Sequence, residues 1–257
     1  MTAPVRTEAA TRGAGAMLTV HVARGEGATR TTQTYAVPRR PSQTVLDVVT
    51  EIQREQDPGL AYRFACRVGM CGSCGMTVNG RPRWTCRTRV ETIVGDGEAL
   101  SLAPLRNLPV IKDLAVDMEP FFAKWRDAHG YFEPGETPPE DFARVEPASP
   151  ERREADAGIE CINCGVCYAA CDVVSWNPDY LGPAALNRAW TLVNDVRDRG
   201  QPERLAAVSG DAGCHSCHSH TSCTDHCPKA LSPTFAIAGL KRETARAALP
   251  RLFRRRG

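Results

Sequence analysis

The apolar positions near the start of the chain fall at the spacing of strands, and Met17–Val22 and Thr32–Val37 read as two short ones. The period then changes. Val45, Val48, Val49 and Ile52 recur at helical spacing across Thr44–Gln53, with Thr44 and Asp47 placed as a capping box at its start. Met76-Thr77-Val78-Asn79-Gly80 predicts a strand entering a tight turn, and Trp84–Val90 its return. Between Tyr131 and Pro150, residues Pro134, Gly135, Pro138, Pro139, Pro147 and Pro150 oppose regular structure, so this stretch reads as a connector. Beyond it Gly182-Pro183 opens a helix to about Arg199 and Ser232-Pro233 opens another, proline being tolerated in the first turn. The second half is therefore expected to be helical. Met1–Ala16 is small and polar and reads as a disordered arm; Arg6 and Arg12, with no serine, make a poor transit peptide.

The chain has 257 residues, enough for two ordinary domains, and its net charge of +2 gives no bias toward nucleic acid. No apolar run reaches membrane-spanning length, because Leu108–Trp125 is interrupted by Lys112, Asp113, Asp117, Glu119 and Lys124. Any membrane link must then run through partners. Cysteine changes the picture most. Twelve cysteines in a long chain without a secretory signal point to metal ligation in a reducing compartment, not to a disulfide scaffold. They fall in two fields separated by 74 residues.

In the first field, Cys66-Arg-Val-Gly-Met-Cys71-Gly-Ser-Cys74 has the C-x4-C-x2-C spacing of plant-type [2Fe–2S] ferredoxins, and Cys86 supplies the distant fourth ligand. Three thiolates from one short loop must surround a compact cluster, so the backbone has to curl with its amides facing sulfur. Gly69, Gly72 and Gly75 permit that curl, and the exposed amides ease the addition of an electron to an anionic group. A four-cysteine zinc site is the competing reading. Zinc knuckles pair two short C-x2-C elements, whereas here one loop carries three ligands and the fourth is expected on a strand.

In the second field, Cys161-Ile-Asn-Cys164-Gly-Val-Cys167-Tyr-Ala-Ala-Cys171 is the C-x2-C-x2-C-x3-C run of bacterial ferredoxins, whose fourth cysteine serves the other cluster. Cys217-x5-Cys223-x3-Cys227-Pro228 is the same run with His220 at its second position. Exchange of the fourth cysteines predicts a [4Fe–4S] cluster on Cys161, Cys164, Cys167 and Cys227, leaving Cys171, Cys217 and Cys223 for a third cluster. Three thiolates without a fourth fit [3Fe–4S]; a [4Fe–4S] cluster with His220 as a ligand is the alternative. Cys214 reads as a buried small hydrophobe, with a ligand role as its alternative.

Together the two fields resemble the iron–sulfur subunit of succinate dehydrogenase and fumarate reductase, the succinate:quinone oxidoreductase of respiratory complex II. The resemblance covers nearly the whole chain and rests on Cys66–Met76, Glu160–Cys171, Trp176-Asn-Pro-Asp-Tyr-Leu-Gly-Pro-Ala-Ala185 and Cys217–Pro233. It implies an α+β chain: a β-grasp plant-type [2Fe–2S] ferredoxin domain over residues 17–117 and an all-α bacterial-ferredoxin-like domain over 118–257. It also implies a flavoprotein partner that carries covalent FAD and the dicarboxylate site, so this chain has no dicarboxylate-converting residue of its own. Electrons would run from FAD through [2Fe–2S], [4Fe–4S] and [3Fe–4S] to quinone beside membrane anchor subunits, with or without haem b.

Trp176 and His218 match the family's quinone-facing residues, and Lys241 a basic position facing the anchor. The implied location is peripheral, on the cytoplasmic face of a bacterial inner membrane or the matrix face of a mitochondrial one. Two residues depart from the family pattern: Asp172 stands where proline is usual, and His220 where an apolar residue is common. Succinate oxidation is the expected direction. Fumarate reduction, or service to another flavoenzyme complex, is the alternative. The basic end, Arg251–Arg256, reads either as a solvated tail or as a contact to acidic headgroups or an anchor.

Overall fold

A computed structural model describes residues 16–136, 142 and 145–254. The arm expected at Met1–Ala16 lies outside them except for Ala16, as do parts of the proline-rich connector and the last arginines. Strands β1 (Met17–Arg24) and β2 (Thr31–Pro38) pair antiparallel from Met17↔Pro38 to Arg24↔Thr31. Helix α1 (Val45–Glu51) follows with the expected capping box: the Asp47 N–H donates to Thr44 Oγ1 at 3.2 Å and the Thr44 N–H to the Asp47 carboxylate at 2.9 Å. Val45, Val48, Val49 and Ile52 are all 0% exposed, packed on the sheet against Val20, Val37, Met76 and Leu102. Each such burial contributes roughly 1.5–3 kcal/mol.

Strands β3 (Gly75–Val78) and β4 (Arg81–Trp84) form a hairpin. The return strand was expected at Trp84–Val90, but β4 ends where that range begins. Asn79 and Gly80 both have positive φ, 47° and 77°, the requirement of a two-residue type I′ turn, so Val78 pairs directly with Arg81. Cys86 consequently follows the strand in a turn. Strand β5 (Leu100–Ala103) inserts between β1, which it parallels, and β3, giving the sheet order β2-β1-β5-β3-β4. A ribbon of β6 (Val110–Lys112) and β7 (Ala115–Val116) closes this half. At its turn the buried Asp113 carboxylate accepts from Arg24 at 2.6 Å, Gly25 N–H at 2.7 Å and Ala61 N–H at 2.8 Å. These bonds tie the end of β1 to the start of the cysteine loop.

From Glu119 onward the named elements are helices: α2 (Glu119–Asp127), α3 (Pro150–Ile159), α4 (Val166–Ala169), α5 (Asp172–Trp176), α6 (Pro183–Val193), α7 (Gln201–Ala207), α8 (Ser222–Asp225) and α9 (Pro233–Arg254). Helix α6 stops at Val193, short of the expected Arg199. There Asn194 donates its side-chain amide to the Trp190 carbonyl and Asp195 accepts from the Arg197 N–H, local bonds that compete with helix continuation. Every residue of α6 except Arg188 is buried, as suits a central helix. Leu105, Leu108 and Val116 reach from the first half into this second core.

Arg204 of α7 is fully buried. It pairs with Asp198 at 2.7 Å and donates to the carbonyls of His129 at 2.9 Å and Tyr131 at 3.0 Å, fastening the connector's start to the helical half. Arg204→Leu strands the Asp198 carboxylate and is expected to destabilise the chain by about 3–5 kcal/mol. The loss should read as a lower denaturant midpoint; a midpoint equal to wild type would contradict this role.

Candidate iron–sulfur site

The first nest is the loop 66–74. Cys66 Sγ accepts the N–H groups of Val68 at 3.4 Å, Met70 at 3.3 Å and Cys71 at 3.3 Å, and Cys71 Sγ accepts the Cys66 N–H at 3.4 Å. Amides converge on sulfur, as a cradle for an anionic group requires. Burial alone would raise the Cys71 thiol, but donors from Cys66 and Ser73 outweigh it and bring it down to about 6. Cys74 and Cys86 lie deeper, 3% and 5% exposed, and touch each other; burial, then the Cys74 thiol, pushes Cys86 up to about 12. The four cysteines thus fall into two neighbouring pairs, Cys66 with Cys71 and Cys74 with Cys86. Gly72, with φ +72°, meets the second field directly: a Cβ there would lie 2.6 Å from the Ile162 carbonyl oxygen and 2.9 Å from Cys164 Cα.

The second nest is a cavity lined by Cys161, Cys164, Cys167 and Cys227, with Asn187 of α6 and Lys229 in its wall. Asn163 at φ 53° and Gly165 at φ 73° turn the backbone between the first three thiols. Burial raises all three, Cys164 to about 12. The thiolate forms would thus need compensating positive charge.

Cys171 is not among the residues lining that cavity; burial raises its thiol, and the backbone N–H groups of Val174 and Val173 oppose the rise. It shares its electrostatic surroundings with Cys217 and Cys223, and all three raise the pKa of Tyr180, whose largest influence is burial. Asn107 holds this corner by donating to the carbonyls of Tyr168 and Cys171, both at 3.0 Å. Cys214 is fully buried in the core, 3.8 Å from the Thr244 hydroxyl. Lys241 donates to the Cys217 carbonyl at 2.6 Å, within the chain. Asp172 opens α5, where a negative charge suits the helix start.

Trp176 is 62% exposed and meets His220 edge-to-face at 6.0 Å; His220 in turn lies 6.1 Å from His218. The two residues singled out for quinone therefore share one surface, with His220 between them. Asn107, Tyr180 and Asn187 were not legible as site residues from the sequence. Their only signal is proximity across the fold.

Do these residues suit clusters better than zinc? A zinc ion bound at 2.3 Å by four thiolates needs sulfurs about 3.8 Å apart. Among the described residues, no group of three or more His, Cys, Asp or Glu is close enough to hold a single ion. The amides converging on Cys66 Sγ and the left-handed turns at Gly69, Gly72 and Gly165 suit an anionic inorganic core.

Two families match. The 2Fe-2S iron-sulfur cluster binding domain covers residues 19–123, and the 4Fe-4S dicluster domain residues 160–232. Fold and site thus define an iron–sulfur protein with an N-terminal 2Fe-2S domain and a C-terminal 4Fe-4S domain. The chain is 36% identical over 199 residues to succinate dehydrogenase [ubiquinone] iron-sulfur subunit 1, mitochondrial, of Oryza sativa, covering 77% of this chain and 70% of that protein. It is 35% identical to the fumarate reductase iron-sulfur subunit of Haemophilus influenzae, over 83% of this chain and 86% of the relative. Its structure superposes on a chain of the Mycobacterium smegmatis Sdh1 complex with a TM-score of 0.82 at 28% identity, covering 91% and 98% of the two chains. The chain belongs to the family of iron–sulfur subunits of succinate dehydrogenase and fumarate reductase.

Proposed function

We propose that this electron-transfer subunit holds three clusters: [2Fe–2S] on Cys66, Cys71, Cys74 and Cys86; [4Fe–4S] on Cys161, Cys164, Cys167 and Cys227; and [3Fe–4S] on Cys171, Cys217 and Cys223. One observation carries the reading. Cys227 lines the cavity of the upstream run, while Cys171 keeps company with Cys217 and Cys223. That exchange is what two interleaved ferredoxin-type runs demand. When bound, the clusters supply one-electron carriers whose potentials the surrounding groups tune.

The chain's own residues do the rest. The amides of loop 66–71 favour added negative charge, and the close approach at Gly72 brings the first two nests together. Trp176 and His218 form the quinone face, the indole N–H donating to a quinone oxygen and the imidazole relaying a proton. The sheet with α1 across one face is a β-grasp domain over 17–117, and the helices from 118 on form the bacterial-ferredoxin-like domain. A flavoprotein with covalent FAD delivers electrons from succinate, and an anchor subunit holds the complex at the cytoplasmic face of the membrane. No helix among the described residues is long and apolar enough to cross a membrane by itself.

Anaerobic purification of the complex, with iron and sulfide counts and frozen-sample EPR of the air-oxidised protein, tests the cluster set. A three-iron signal is expected. Its absence would transfer the third nest to a four-iron cluster with His220 as ligand. Succinate-dependent quinone reduction by the same preparation tests the direction, and a flavoprotein that co-purifies without that activity would defeat it.

A further inference from the structure

Within the buried surface of α6 two polar side chains stand out, Asn187 and Thr191, each 2% exposed. Thr191 returns its hydroxyl proton to the Asn187 carbonyl at 3.0 Å, a bond within the helix. Asn187 has no such local outlet. Its amide donates to the Gly158 carbonyl at 3.2 Å, the one acceptor it has among the described residues, yet an amide carries two hydrogens. Asn187 is also one of the residues lining the cavity enclosed by Cys161, Cys164, Cys167 and Cys227. Gly158 fixes its position, since a Cβ there would fall 2.9 Å from Asn187 Nδ2. Burying an amide at this place is costly unless both hydrogens find acceptors.

We propose that Asn187 donates its second amide hydrogen to the sulfur of the [4Fe–4S] nest and thereby raises the reduction potential of the cluster held there. The inference rests on the assignment of those four cysteines as that cluster's ligands. A donor aimed at cluster sulfur favours the reduced, more negative state. The other charges at this nest work differently. Lys229 is paired with Glu160 at 3.3 Å near solvent, and Arg188 acts on Cys161 from a half-buried position while donating to the Gly130 carbonyl. Neither supplies a neutral donor from within the wall.

The test is an EPR-monitored redox titration of the purified complex carrying Asn187→Leu, which keeps similar bulk and removes the donor. The [2Fe–2S] signal in the same sample serves as internal reference. At a fixed potential near the wild-type midpoint, the reduced-to-oxidised ratio of the four-iron cluster is expected to fall about fivefold, a modest fraction of what a charge-assisted hydrogen bond can supply. The two-iron midpoint should stay put. If the leucine variant does not retain the cluster, Asn187→Ala, which leaves space instead of adding bulk, carries the same comparison. A full four-iron signal with an unmoved midpoint overturns the proposal. So does lower cluster content without a shift, the mark of a purely structural role. Failure of the ligand assignment looks different, because the wild-type complex would then give no four-iron signal to titrate.

Discussion

Cys227→Ala is expected to strip the [4Fe–4S] cluster from a nest whose other three thiols lie in the run 161–167, far upstream, and to reduce succinate-dependent quinone reduction to background. Cys227 enters that cavity from beyond α8, and the wall on its side includes Pro228 and Leu231, which offer no substitute ligand. Cys171→Ala, four residues after Cys167, should leave the four-iron signal in place and remove the three-iron one. The two variants thus exchange effects relative to their positions along the chain. EPR of both, with iron and sulfide counts, decides the matter. If Cys171→Ala removes the four-iron signal and Cys227→Ala spares it, each run keeps its own cluster and the interleaved assignment falls.

The cysteine spacing announced these nests because ligand geometry is local: three thiolates on one short loop, or a repeated run, leave their mark in adjacent positions. The cap of α1 was legible for the same reason, since Thr44 and Asp47 answer each other across one turn. Features that join distant segments left no such trace. Strand β5 is four residues long, and nothing in Leu100–Ala103 says that it slots between β1 and β3. Asp113 looked like one more charge interrupting an apolar stretch, yet it is the buried acceptor that joins three segments. Nothing local to Arg204 or Asp198 marks them as a buried pair; the fold closes over both side chains. His220 was legible as the second position of the downstream run and as a departure from a family pattern, but its contact with Trp176 depends on α5 and the loop 217–223 meeting in space.

Gly72→Ala is expected to slow electron passage between the first two nests while leaving both filled. The substitution meets two penalties. At φ +72° a side chain costs about 1–2 kcal/mol of backbone strain. Its Cβ would also press on the Ile162 carbonyl and on Cys164 Cα, and since both are backbone atoms of the loop carrying Cys161 and Cys164, relief must push the two cysteine loops apart. A wider gap weakens electron passage between the two nests, so turnover should fall severalfold. Cluster content and midpoint potentials should hold near wild type, and magnetic coupling between the reduced clusters should weaken. Gly80→Ala separates the two penalties: Gly80 has φ +77° but no atom within 4 Å of the new Cβ, so it carries the strain without the clash. Turnover of Gly80→Ala close to wild type, beside a slow Gly72→Ala, assigns the loss to the gap between nests. Equal turnover in the two variants would mean that the close approach at Gly72 does not govern transfer.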